Sequence, residues 1–231
     1  MMACWGYSLR DTIVVIVEDK GVGGSTAHFR DRFETLDTTA WIPFGTHRPQ
    51  TGVVGDDWVL HLRGDEKYSD GIILKDPIPL DQGVTVEYEF KMEVDRDVHQ
   101  NISLCLRDTD PKRIDRKQGT YGPSGEVVCF LYPSREFEKM DLSEVRLYVT
   151  PGAEILPEVP GDLPSTEWTH VAIQIRADGE PTLVINRRKV ATSPIRIEME
   201  PRFQWSVVID GDAVGTDLLV RNFSIWREVR Y

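Results

Sequence analysis

The chain has 231 residues and a formal charge of −11, with 38 acidic against 27 basic side chains. That length fits one large β domain or two small ones. The acidic balance excludes a general binder of nucleic acid or anionic membrane, since both need a basic field to neutralise phosphate; local basic patches stay open.

Residues 1–12 lack a basic start followed by an apolar run, so they do not read as a signal peptide. Next come Ile13, Val14, Val15, Ile16 and Val17, far short of the roughly 20 residues a membrane span needs. They lead into Gly21, Gly23 and Gly24. Thr26 stands where a dinucleotide fingerprint needs its third glycine, and no Lys follows as a P-loop requires. Residues 1–28 therefore read as an arm, a short strand on a glycine-rich connector, ahead of one domain over 29–231.

Period-two alternation dominates that domain. Residues 57–64 place Trp58, Leu60 and Leu62 inward. Residues 84–94 set Val84, Val86, Tyr88, Phe90, Met92 and Val94 against Thr85, Glu87, Glu89, Lys91 and Glu93, one face for the core and one for water. The pattern returns with Ile102, Leu104 and Leu106, with Val145, Leu147 and Val149, and with Val171, Ile173 and Ile175. Residues 181–190 read as strand, turn and strand, and segments 203–212 and 217–226 close the chain. Gly64-Asp65, Asp178-Gly179 and Asp210-Gly211 mark turns. The best helical stretch is 134–142. Many strands without interleaved helices predict an all-β antiparallel two-sheet sandwich of the jelly-roll kind.

Between the strands, loop 107–125 has no strand pattern and gathers Lys112, Arg113, Arg116 and Lys117, with Tyr121. Long loops on a rigid sandwich tend to carry function, so a basic tip docking on an acidic or polar protein surface and a solvated excursion both stand. Cys4, Cys105 and Cys129 are too few and too widely spaced for a disulfide framework, and their odd number leaves at least one free thiol, which suits a reducing compartment. His28, His47, His61, His99 and His170 show no zinc-ligand spacing. Arg63-Gly64-Asp65 reads as a turn, and the sequons at Asn101 and Asn222 fall inside strands.

Segments 29–45, 68–93, 166–190 and 215–226 together resemble the concanavalin A-like lectin/glucanase superfamily, especially the laminin-G-like jelly rolls of bacteria. The resemblance rests on an opening aspartate-rich strand with a Trp, on Trp168, on a hairpin holding Asn186, and on Arg221-Asn222 in the last strand. Arg187 stands where a glycine is common. The resemblance implies two curved antiparallel sheets and leaves the ligand open.

Glycosidases of this superfamily place carboxylates in ExDxE or ExDxxE order on one strand face. The nearest match is Glu87 and Glu89, with Glu93; no Asp sits between the first two. Strand neighbours two apart rise about 7 Å, close enough to the roughly 5.5 Å of retaining chemistry to keep the pair in view. The resemblance also raises calcium, for which Asp210, Asp212 and Asp217 offer oxygens toward a shell of about six to eight, although Asp-Gly pairs between strands are more often turn chemistry, and that reading prevails. No cofactor is otherwise indicated.

The reading that follows is a non-enzymatic interaction or structural module, an accessory subunit of a larger protein assembly that is cytoplasmic or peripheral to a membrane complex. Its contacts are the arm at Ile13–Val17 and the basic loop. The alternative is a carbohydrate-binding module drawing on Trp41, Trp58, Tyr68, Tyr121, Trp168, Trp205 and Trp226. A glycoside hydrolase or lyase of the same fold comes third.

Overall fold

A computed structural model describes residues 27–64, 70–78, 80–93, 101–108, 126–133, 146–149, 153–155, 167–197, 203–209 and 217–231. Its strands, in chain order, are β1 (Phe29–Asp31), β2 (Trp41–Phe44), β3 (Gln50–Val54), β4 (Asp57–Arg63), β5 (Asp70–Leu74), β6 (Val84–Glu93), β7 (Asn101–Asp108), β8 (Glu126–Pro133), β9 (Arg146–Val149), β10 (Ala153–Ile155), β11 (Thr169–Ile175), β12 (Pro181–Ile185), β13 (Arg188–Thr192), β14 (Phe203–Ile209) and β15 (Asp217–Trp226). There is no helix among the described residues, and stretch 134–142 lies outside them. The first sheet has eight strands, β13-β12-β11-β6-β15-β4-β3 with β1 added onto β15; the second has seven, β10-β9-β8-β7-β14-β5-β2. Every pairing is antiparallel. The molecule is an all-β, two-sheet sandwich.

Alternation explains how the layers meet. On β6, Val84, Val86, Tyr88, Phe90 and Met92 face the other sheet and join one core with Leu104 and Leu106 of β7, Phe130 of β8, Trp205 and Val207 of β14, and Leu218, Val220, Phe223 and Ile225 of β15. Burying each such side chain contributes roughly 1.5–3 kcal/mol. Trp41 packs edge-on against Phe223 at 5.0 Å and against Phe29 at 5.7 Å, so β1 and β2 close the sandwich with aromatics. Asp31 anchors that corner: its carboxylate accepts from the Phe33 N–H (2.6 Å) and the Trp41 indole (2.7 Å). Buried Phe33 is thereby held at φ 59°, a conformation bulky residues rarely adopt.

Two local devices shape the eight-stranded sheet. Asn186 and Arg187, at φ 48° and 64°, form the two-residue connection between β12 and β13, the doubly positive geometry that matches strand twist. In β15 the register shifts between Arg221 and Ser224 as Asn222 turns to φ 56°, a bulge within the strand.

Two sequence expectations need correction. Trp58 has the parity of Leu60 and Leu62 but is 43% exposed, beside its cross-strand neighbour Val53 at 55%. Those two positions lie at the hairpin end of β3 and β4, one residue pair from the turn. Cys105 is disulfide-bonded, and the residue directly opposite it in the β7–β8 register is Cys129. Spacing along the chain carries no information about adjacency across strands.

Candidate functional site

A cavity of about 480 Å³ lies along β2, the edge strand of the seven-stranded sheet, where the chain crosses to β3 in the other sheet. Ligand sites commonly fall between about 300 and 1,000 Å³. Trp41, Ile42, Pro43 and Phe44 of β2 form its wall, residues 45–49 arch over it, and Thr38 and Lys75 complete it. Pro43 is tolerated because an edge strand has one side free of ladder bonds. Phe44 sits over Gly71 of β5: a Cβ there would meet Phe44 Cζ at 2.6 Å and the Val207 carbonyl at 2.4 Å, so glycine is what lets the ring lie down.

Beside the wall stands a histidine–carboxylate pair. Asp70, 1% exposed, accepts from the His47 N–H at 3.0 Å and contacts His47 Nδ1 at 2.8 Å. Burial, the largest influence, pushes the Asp70 carboxyl above its usual value, although bonds from His47 and from the Thr46 backbone pull the other way. The pair fixes the ring of His47, whose side chain is 40% exposed and lines the cavity. Arg48 and Lys75, both exposed, line it too, and neither has a carboxylate within ion-pair distance among the described residues. The site thus combines an apolar wall, threonine hydroxyls and cationic donors.

A second polar cluster covers the outer face of the eight-stranded sheet and contains both carboxylates singled out as catalytic candidates. Glu87 accepts from the Trp226 indole (2.7 Å), the Tyr231 hydroxyl (2.5 Å) and Arg230 (3.3 Å), and lies 3.1 Å from His170 Nε2. Burial alone would raise this carboxyl. Bonds from His170 and Tyr231, the His170 charge and the Trp226 N–H outweigh it and hold the group down at about 2. Tyr231 is pushed well above the usual phenol range by burial and by the same carboxylate. Glu89 accepts from Arg221 Nε at 2.5 Å and from the Asn222 amide at 3.2 Å. Arg221 also pairs with Asp57 and lies 4.0 Å over the Trp168 ring, while Arg230 lies 3.6 Å over Trp226. Both glutamates are therefore engaged by the protein's own donors, and the β15 bulge is what delivers Arg221 and Asn222 together to Glu89.

The remaining sequence candidates scatter. Asp217 opens β15 with Oδ1 3.1 Å from His61 Nε2 and 4.0 Å from Arg63 Nε, close contacts without hydrogen-bond alignment. Asp210, Asp212, Ile13, Val14, Val15, Ile16, Val17, Lys112, Arg113, Arg116, Lys117, Tyr68 and Tyr121 lie outside the described residues. Among the aromatics, Trp41, Trp205 and Trp226 are buried, Trp168 is half-buried and Trp58 is exposed. The His47–Asp70 pair is absent from the sequence reading because its members stand 23 residues apart and meet only through the β2–β5 pairing. The one local cue was the run Gly45-Thr46-His47-Arg48-Pro49, a turn rich in donors.

No family model matches the chain, and no curated protein matches it in sequence. Solved structures do share its fold. The carbohydrate recognition domain of Emp46p in its potassium-bound form is 12% identical at a TM-score of 0.62, over 86% of this chain and 95% of that one. A carbohydrate esterase from Shiga toxin-encoding bacteriophage phi24B is 13% identical at 0.62, over 89% and 100%. A glycoside hydrolase family 16 endo-glucanase from Bacteroides ovatus is 15% identical at 0.59, over 85% and 99%. At these identities the likeness concerns the arrangement of strands, and on that basis the chain has the concanavalin A-like jelly-roll fold.

Proposed function

We propose that this domain binds carbohydrate, with the cavity along β2 as the sugar site. The observation that carries the reading is the pairing of an apolar wall, Ile42, Pro43 and Phe44, with a histidine held in place by a buried carboxylate at the same cavity. A sugar ring offers a C–H face that packs on apolar side chains and hydroxyls that need fixed donors and acceptors. The wall meets the first requirement, and His47, Thr38, Thr46 and Arg48 meet the second. Solved proteins of the same fold, a carbohydrate recognition domain, a carbohydrate esterase and an endo-glucanase, support a sugar ligand as a class. Binding without turnover is supported by the outer-face cluster, where Glu87 and Glu89 are engaged by protein donors.

The test is a glycan array followed by calorimetry on the chain and on Thr38→Trp, which fills the cavity mouth from an exposed position. Binding that falls at least about tenfold in the variant, a loss of about 1.4 kcal/mol, places the sugar here. A chain that binds no glycan overturns the reading.

A protein-interaction role is the second reading, favoured by Trp58 and Val53. These two large apolar side chains stand side by side at the end of the edge hairpin β3–β4, as an aromatic anchor would. Trp58→Ser that leaves every association of the native protein intact would remove it.

A further inference from the structure

The charge lining the cavity points to a narrower ligand class. Among the described residues its ionisable side chains are His47, Arg48 and Lys75, and no carboxylate lines it, although the chain as a whole has 38 acidic groups to 27 basic ones. The acids next to the lining residues are committed to other bonds or stand outside the lining. Asp70 is buried behind His47. Asp37, next to the lining residue Thr38, accepts from the Thr39 N–H at 2.8 Å and hydroxyl at 2.6 Å. Asp76 follows Lys75 in the chain but does not line the cavity.

Several cations elsewhere on the surface have carboxylate partners, as Arg176 has Asp178 and Glu180, and as Arg196 has Asp178. Arg48 and Lys75 have none among the described residues. In a protein this acidic, two cations with no carboxylate partner among the described residues, at the mouth of an apolar-walled cavity, give it a local positive field. Such a field attracts an anion, and a guanidinium adds the planar, two-point geometry that fits a carboxylate.

Resting on the reading of this cavity as a sugar site, we propose that its ligand is an acidic glycan, a sugar bearing a carboxylate that Arg48 and Lys75 receive while the ring packs on the β2 wall. His47, oriented by Asp70, contributes a directional contact to the ring. The net charge of −11 on the chain as a whole disfavours polyanions without a fitting ring, so recognition requires ring and charge together.

The experiment is calorimetry of the full chain with a uronic-acid oligosaccharide and with the same oligosaccharide after reduction of its carboxyl groups to hydroxymethyl, each against wild type and Arg48→Gln/Lys75→Gln. Both positions are exposed, so the double variant folds; circular dichroism checks this. Wild type is expected to bind the acidic form about 10- to 100-fold more tightly than the reduced one, a preference that the double variant loses and that added salt weakens. Equal affinity of wild type for the two forms overturns the acidic ligand while leaving the sugar site standing, provided Thr38→Trp still blocks both. An acidic preference that survives in the double variant also overturns the inference. Absence of binding to either oligosaccharide and to every glycan on the array overturns the sugar reading itself.

Discussion

At the scale of single residues, Glu87 concentrates the outer-face chemistry. One carboxylate satisfies an indole, a phenol and a guanidinium and sits 3.1 Å from an imidazole, so removing it leaves several buried or half-buried groups without their partner. Losing one member of a buried charged cluster typically costs about 3–5 kcal/mol. Its acidity sets a pH window. The folded value, about 2, lies below the unfolded value near 4.3, so the carboxylate's contribution is complete above that unfolded value and is withdrawn as pH falls toward 2. Chemical denaturation of the wild type between about pH 5 and pH 2 should show stability falling by on the order of 3 kcal/mol from this group. Glu87→Gln should be less stable at pH 7 and should show a shallower decline over the same window. Equal slopes in the two proteins would mean that the cluster does not hold the ionised form.

At the scale of elements, the hairpin between β12 and β13 is the clearest case of a strained but legible join. Asn tolerates the left-handed region through its short polar side chain; Arg does not, and a residue with a Cβ spends about 1 kcal/mol there. Asn186 gains from its place, since its Oδ1 accepts from the His170 N–H at 3.1 Å and its own N–H reaches the His170 carbonyl at 2.9 Å. Exposed Arg187 at φ 64° makes no such bond among the described residues. Arg187→Gly should therefore raise stability by about 1 kcal/mol, seen as a higher denaturation midpoint with an unchanged slope. A destabilised variant would show that Arg187 contributes more than its backbone strain removes. This join was legible because strand, two turn residues and strand follow one another locally. The same holds for β6, β7 and β11, whose alternation declares one wet and one dry face. Strand β5 was not legible: all five of its residues are buried, so period two vanishes. The pair β2 and β3 was hidden differently, by a proline at an edge and by apolar residues left in water at the hairpin's end.

At the scale of the whole molecule, pairings remote in sequence build everything of functional interest, which is why the fold was readable while the site was not. The register that seats β2 against β5 brings His47 to Asp70, and the register of β15 against β6 brings residues 221–226 to Glu87 and Glu89. Strand periodicity names a face without naming the neighbour on the next strand. Among the described residues β1 is the first strand to pair, with Phe29 opposite Ile225 and the His28 N–H reaching the Ile225 carbonyl at 2.8 Å. Every described member of the main core, with the hydrophobics packed against it, falls between Phe29 and Ile225. Among the described residues the core thus closes on itself through the meeting of β1 with β15. Deleting residues 1–24 should leave a chain that unfolds cooperatively with the denaturation midpoint of the parent, and with the same glycan affinity. A midpoint lowered by the equivalent of more than about 1 kcal/mol of unfolding free energy would assign the apolar run Ile13–Val17 to the sandwich itself. An unchanged midpoint with an altered sedimentation rate would instead assign it to contacts between molecules.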